Sequence, residues 1–338
     1  MASPQDAKGR ITVLTVVPLI VVLIFAYFLI SESFKQVKSA ESLEKGIILS
    51  TKISAVVHEL QKERGRSAGF LGSGGKEFKE ELREQRLLTD KAISELKAVV
   101  DKEYLAALPE ETRRVIERVV SDELNSVSEI RNKVDRKEIT LKEAVSFYTR
   151  LNNELIDAIG EIAKVSDNAG ITRELAAYAD FLYAKEKMGL ERAILSVAFA
   201  RDRFDLSLFK RFVNLLAQQK AFIKSFELVA PDNVVEYYRK TVVSSTPAGE
   251  VSKLERLALS SPFDGGFNVD PNYWFGVITD KIDLMKKVED YISRDLISRV
   301  DVVKESSKGK LMMAIVLSAI SVVVVLGIRL TMGRSSEG

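Results

Sequence analysis

The chain has 338 residues, and its 50 basic and 48 acidic side chains leave a net charge of +2. Such a balance lacks the concentrated basic face of a nucleic-acid binder, so no nucleic acid is expected among its partners. Cysteine is absent and histidine occurs once, which excludes disulfides, a thiol nucleophile and a cysteine metal site and argues against zinc, so no metal or cofactor is expected.

A short tail, residues 1–10, leads into an uncharged apolar run from Ile11 to Ile30. A helix rises ~1.5 Å per residue and a bilayer core is ~30 Å thick, so about 20 apolar residues cross it. The run meets that requirement and is expected to be a first transmembrane helix. Residues 31–310 follow as a long polar segment of helical pattern. Apolar residues recur at three and four, as in Ile53, Val56, Val57 and Leu60, or Phe209, Phe212, Val213 and Leu216. Pro109 followed by Glu110 and Glu111 opens one helix, Thr140 with Glu143 forms a capping box, and Asp270-Pro271 opens another.

These marks predict about eight helices, at roughly 33–71, 77–103, 109–136, 141–166, 171–201, 205–229, 232–260 (interrupted near Pro247) and 271–308. Ser260 to Val269, with Pro262 and Gly265-Gly266, reads as a loop. Long antiparallel helices with short connections form bundles, so the fold class expected is all-α, two four-helix bundles flanked by two membrane helices. Leu311 to Ile328 is the second uncharged run, with residues 329–338 as a closing tail. Lys8 and Arg10 before the first run and Arg329 and Arg334 after the second favour both ends inside the cell, by the rule that short cytoplasmic segments retain basic residues. The location expected is a bacterial inner membrane crossed twice, with residues 31–310 outside.

Motifs for catalysis are missing, and no enzyme is expected. Gly72-Ser-Gly-Gly75-Lys76 lacks the earlier glycine and the following Ser or Thr of a phosphate loop, and reads as a turn between helices. His58 has no second imidazole or thiol to share a metal with. The arginines are better candidates. Glu63-Arg64 is echoed by Glu191-Arg192, and both arginines sit among small residues, with Gly65, Ser67 and Gly69 near one and Gly189, Ala193 and Ser196 near the other. Guanidinium is a permanently charged planar fork suited to planar oxyanions. The competing reading is that each arginine simply pairs with a glutamate.

The stretch from His58 through Lys62-Glu63-Arg64-Gly65-Arg66-Ser67-Ala68-Gly69-Phe70 to Gly75, followed by Gln85-Arg86 and Thr89-Asp90, closely resembles the nitrate- and nitrite-sensing (NIT) domain family. Later fragments fall in the same order: Ala184-Lys185-Glu186, Gly189, Glu191-Arg192-Ala193, Leu254-Glu255, Trp274-Phe275 and Lys281-Ile282-Asp283. The resemblance spans roughly Ile48 to Leu296. It implies paired four-helix bundles and recognition of nitrate or nitrite by arginines. Arg64 and Arg192 match the anion-binding positions, with Arg256 a looser candidate in the late helices and Arg66 a secondary one.

The function expected is a membrane-bound signal-transduction receptor, of the kind found in chemotaxis and two-component systems. Nitrate or nitrite would bind outside, and a conformational change would pass through the membrane helices to a cytoplasmic module or partner, in a homodimer. Family receptors continue into an output module, whereas ten residues follow Ile328 here, so the output module is expected to be absent from this chain, which is either a piece of a longer receptor or signals through a separate partner. The alternatives are another small anion on the same scaffold, or a tethered helical module that binds a protein partner.

Overall fold

The computed structural model describes residues 4–100, 102–166 and 168–335, together with most of their side chains. The extreme ends of the two expected tails lie outside the described residues, as do the side chains of Lys8, Arg10, Arg329 and Arg334. Among the described residues the chain is helical throughout: α1 Pro4–Gly72, α2 Lys79–Val99, α3 Lys102–Ala107, α4 Glu110–Glu117, α5 Val127–Arg136, α6 Leu141–Lys164, α7 Ala169–Ala200, α8 Leu206–Val229, α9 Asp232–Tyr238, α10 Thr246–Ser260 and α11 Pro271–Ser335. The all-α expectation holds, and most boundaries agree to within a few residues.

The caps are those the residue types require. Thr140 Oγ1 accepts from the Glu143 amide at 3.2 Å while Glu143 Oε2 accepts from the Thr140 amide at 2.9 Å, closing the capping box. Asp270 Oδ1 accepts from the Asn272 amide at 2.9 Å at the start of α11. The glycine turn after α1 is a helix stop: Gly74 and Gly75 have φ of 67° and 86°, and the Gly75 amide donates to the Phe70 carbonyl at 2.8 Å. The loop before α11 is held by Asp202, whose carboxylate accepts from the amides of Gly266 at 2.8 Å and Asn268 at 3.2 Å.

The chain divides into two compact units. One combines the chain up to Glu44 with the chain from Ser298. Small and β-branched residues are buried along it, with Ala26, Ser33, Val37 and Ala40 from α1 and Val300, Ser307 and Ala314 from α11. The sevenfold spacing of the last three is that of a coiled-coil seam, and Lys304 Nζ meets Glu44 Oε2 at 2.6 Å. Both helices are apolar and long enough to cross a membrane by length and composition alone.

The other unit, Lys45–Ile297, holds the main core, and its elements follow a similar order in each half. In its first half α1, α2, the α4–α5 pair and α6 are tied together: Lys52 to Glu95 at 2.8 Å, Arg86 to Asp135 at 2.9 Å, and Tyr148 to Glu63 at 2.8 Å. In its second half α7, α8, the α9–α10 pair and α11 surround an aromatic core, where Phe181, Phe226 and Tyr238 pack within 6 Å of one another. Tyr237 stacks on Tyr291 at 4.3 Å. In each half one helix, α4 or α9, opens behind a proline, Pro109 or Pro231, and is then widened into a π-helical segment, Arg118–Glu123 or Arg239–Val243. Two halves that repeat even this irregularity in the same place share one architecture.

Candidate anion site

The two arginines singled out in the sequence converge where α1 runs beside α7. Each guanidinium approaches a glycine on the helix of the other arginine. A Cβ on Gly189 would stand 3.2 Å from Arg64 Nη2, and one on Gly65 would stand 3.6 Å from Arg192 Nη2. At Gly189 a side chain would press on the Arg64 guanidinium, whereas at Gly65 the contact would be an ordinary one. The repeat extends to their outer contacts. Arg64 Nη1 donates to Thr149 Oγ1 on α6 at 2.9 Å, and Arg192 Nη1 donates to Thr279 Oγ1 on α11 at 2.9 Å.

Their electrostatic settings differ. Arg64 is buried and grips Glu186 through both terminal nitrogens, Nη2 reaching Oε2 at 3.2 Å. Glu186 is fully buried and also accepts from Gln61 Nε2 at 2.9 Å and Asn152 Nδ2 at 3.4 Å. Arg192 forms no carboxylate pair among the described residues. Its guanidinium lies 4.6 Å from the ring of Phe275 and its carbonyl accepts from Trp274 Nε1 at 3.0 Å. Burial draws its pKa down, the nearby Arg64 adds to the pull, and the group falls to about 10 despite Asp283. A desolvated cation with no counter-ion in contact, beside a second cation, is an arrangement that an anion could stabilise.

The neighbouring glutamates take no part in that pairing. Glu63 turns away and accepts from Arg131 Nε at 2.7 Å, Arg131 Nη2 at 2.8 Å and Tyr148. Glu191 is buried against Gln219, whose Nε2 donates to it at 2.7 Å, and burial together with nearby Glu255 pushes its carboxyl up to about 8. Adjacent residues on a helix do not face one another, and these two pairs obey that rule.

Arg66 lies on another face, donating to the Glu81 carbonyl at 2.9 Å and to Gln85 Oε1 at 2.8 Å on α2. Arg256 is exposed on α10 and donates to Ser252 Oγ at 2.9 Å. Neither is brought to the Arg64–Arg192 contact. Glu186, Thr149, Thr279 and Phe275 belong to the site and were not singled out as site residues from the sequence. The threonines stand 85 and 87 residues after their arginines, too unequal a spacing to mark them in the sequence.

Below the site, Lys185 and Glu289 are both fully buried and paired. Lys286 Nζ meets Glu289 Oε1 at 2.8 Å, and Ser54 Oγ donates to the same oxygen at 2.6 Å. Burial alone would raise the Glu289 carboxyl, but the two ammonium groups overcome it and hold the group down to about 2. His58 lies in this region with its Nδ1 buried and without a partner, and burial plus the Lys185 charge lowers its pKa to about 2. It is a neutral interior side chain. Among the described residues no group of three or more metal-ligating side chains occurs.

Known proteins share this plan. The chain is 27% identical over 262 residues to the nitrate regulatory protein of Klebsiella oxytoca, a match that takes in 77% of this chain and 64% of that protein. The solved structure of the NasR transcription antiterminator superposes with a TM-score of 0.73 at 23% identity, covering 91% of this chain and 83% of the other. The chain thus spans just under two thirds of the length of the curated relative it matches.

These likenesses correct several expectations. A regulatory protein and a transcription antiterminator do not fit a membrane-bound signal transducer, a chemotaxis or two-component receptor, or a sensor placed outside an inner membrane with both ends in the cytoplasm. Those readings rested on two apolar runs, and length with apolarity is a test that the core helix of a soluble protein or a signal sequence also passes. The exclusion of nucleic acid is withdrawn as well, since it rested on net charge alone and one relative is an antiterminator of transcription. Net charge averages over a whole surface and says little about any one part of it. A match to the family described as nitrate and nitrite sensing runs from residue 55 to residue 297, well over half of the chain. The protein belongs to that nitrate and nitrite sensing family.

Proposed function

We propose that this protein is a regulator that responds to nitrate or nitrite, bound without catalysis between Arg64 and Arg192 in the helical segment 31–310. The observation that carries the reading is Arg192, a desolvated guanidinium facing a second arginine with no carboxylate pair among the described residues. The name of the Klebsiella oxytoca relative agrees in ligand and in a regulatory output.

After its bonds to Thr149 and Glu186, Arg64 keeps Nε free of any bond described above. Arg192 keeps Nε and Nη2 after its bond to Thr279. A small planar anion can accept from both forks at once. It would relieve repulsion between the two cations and so favour the arrangement in which α1 and α7 are held together. The ligand shifts that balance only by its difference in affinity between the two arrangements.

Isothermal titration of the full chain with nitrate and nitrite tests the reading. Saturable binding is expected, lost in Arg192→Ala. Absence of binding, or binding that Arg192→Ala leaves intact, contradicts it, and saturation only by some other small anion would reassign the ligand.

A further inference from the structure

The two arginines occupy equivalent places in the repeat, yet one carries a counter-charge and the other does not. We propose that Glu186 sets the charge selectivity of the site: by cancelling one of the two guanidinium charges, it matches the site to a monovalent oxyanion and turns away divalent ones. The inference rests on the anion site described under the proposed function and names what makes that site selective.

Glu186 is fully buried, and four donors from three side chains converge on it: both terminal nitrogens of Arg64, Gln61 Nε2 and Asn152 Nδ2. A carboxylate so surrounded is fixed in place by charge-assisted and amide hydrogen bonds. Arg64 and Glu186 therefore form a neutral pair, and Arg192 contributes one uncompensated positive charge. The position that the repeat sets against Glu186, at the spacing that separates Arg64 from Arg192, is His58. That side chain is neutral and lies among Lys185, Lys286 and Glu289.

Two further charges act on the arginines through space. Lys187 acts on Arg64, but it is only half-buried, lies 5.6 Å from the ring of Tyr183, and also feels Asp157. Asp283 acts on Arg192 from an exposed position. They are opposite in sign and closer to solvent, where charges are screened. The interior excess is one positive charge. A nitrate or nitrite ion neutralises it, whereas sulfate would leave a buried negative charge, which desolvation penalises strongly.

Titration calorimetry with the full chain separates charge from size. Perchlorate and sulfate are both tetrahedral and similar in size, but perchlorate is monovalent. The wild-type chain is expected to bind nitrate and, more weakly, perchlorate, with sulfate weaker than perchlorate by at least about tenfold, or ~1.4 kcal/mol. Glu186→Gln, checked for folding by circular dichroism, should bring sulfate up by about tenfold or more relative to nitrate. Glu186→Asp, which keeps the charge, should leave the sulfate-to-nitrate ratio at the wild-type value. Equal affinity of the wild type for perchlorate and sulfate, or rejection of both alike, overturns the proposal without any variant. An unchanged ratio in folded Glu186→Gln overturns it as well. If the wild type binds no nitrate, the site reading itself fails and this inference falls with it; if nitrate binds and the ratios behave otherwise than stated, only this inference fails.

Discussion

Glu191 and Arg192 are neighbours in sequence with opposite problems, a carboxyl deprived of a cation and a guanidinium deprived of a carboxylate. The folded Glu191 holds its proton up to about pH 8, whereas an ordinary glutamate releases it near 4.5. Between those values the folded protein binds a proton that the unfolded chain has lost, so stability falls as pH rises through that window and levels off above about 8. Glu191→Gln mimics the protonated form and should remove the fall. Thermal melts at several pH values between the two limits are expected to show wild type losing ground to the variant as pH rises; parallel curves would contradict the assignment. At this scale the sequence exposed the arginines, because a repeated Glu-Arg among small residues is visible in one dimension. Which carboxylate meets which arginine was not visible. Glu186 meets Arg64 and Gln61 only because α1 and α7 pack in one particular register, and register is a product of the whole core.

The helices themselves were the most legible feature, since amphipathic spacing, a capping box and Asp-Pro are local signals. The π-helical widenings at Arg118–Glu123 and Arg239–Val243 were not, as neither segment contains proline or glycine to announce it. The second could be placed only through Pro247 just beyond it. Between elements, the buried pair Lys185–Glu289 joins α7 to α11. Removing Lys185 takes one of two cations from the fully buried Glu289, which keeps Lys286 and Ser54, so Lys185→Met should cost about 3 kcal/mol in chemical denaturation, the low end for a broken buried pair. Lys185→Met with Glu289→Leu should recover much of that loss; a single variant as stable as wild type would show that the pair bears no strain when broken. The same cluster governs acid stability. His58 resists protonation down to about pH 2 while the unfolded chain accepts a proton near 6.5, so stability is lost as pH falls below 6.5. Glu289, held at about 2 against 4.5, adds a further loss below 4.5. His58→Asn should therefore flatten the first part of the acid limb and leave the second, which urea melts on either side of pH 6 can read.

For the whole molecule, the doubled plan explains why the site lies where it does. Each half supplies one arginine from its first helix and one threonine from its last, so an anion bound between the arginines would join the halves. Binding to the folded state alone raises stability by mass action, about 2.7 kcal/mol at a ligand concentration one hundred times Kd. Nitrate should therefore raise the melting temperature in a dose-dependent way that Arg64→Ala abolishes, while equal concentrations of sulfate should not. Large-scale role was the least legible property. The apolar ends are helical as their composition required, yet length and apolarity alone did not identify what kind of protein carries them. The ligand-bound structure of the full chain grown with nitrate is the most direct test. The account predicts one planar trigonal anion within hydrogen-bonding distance of both Arg64 and Arg192, with the Arg64–Glu186 pair still closed. Two arginines with no anion between them, or nitrate held elsewhere by other side chains, would contradict it.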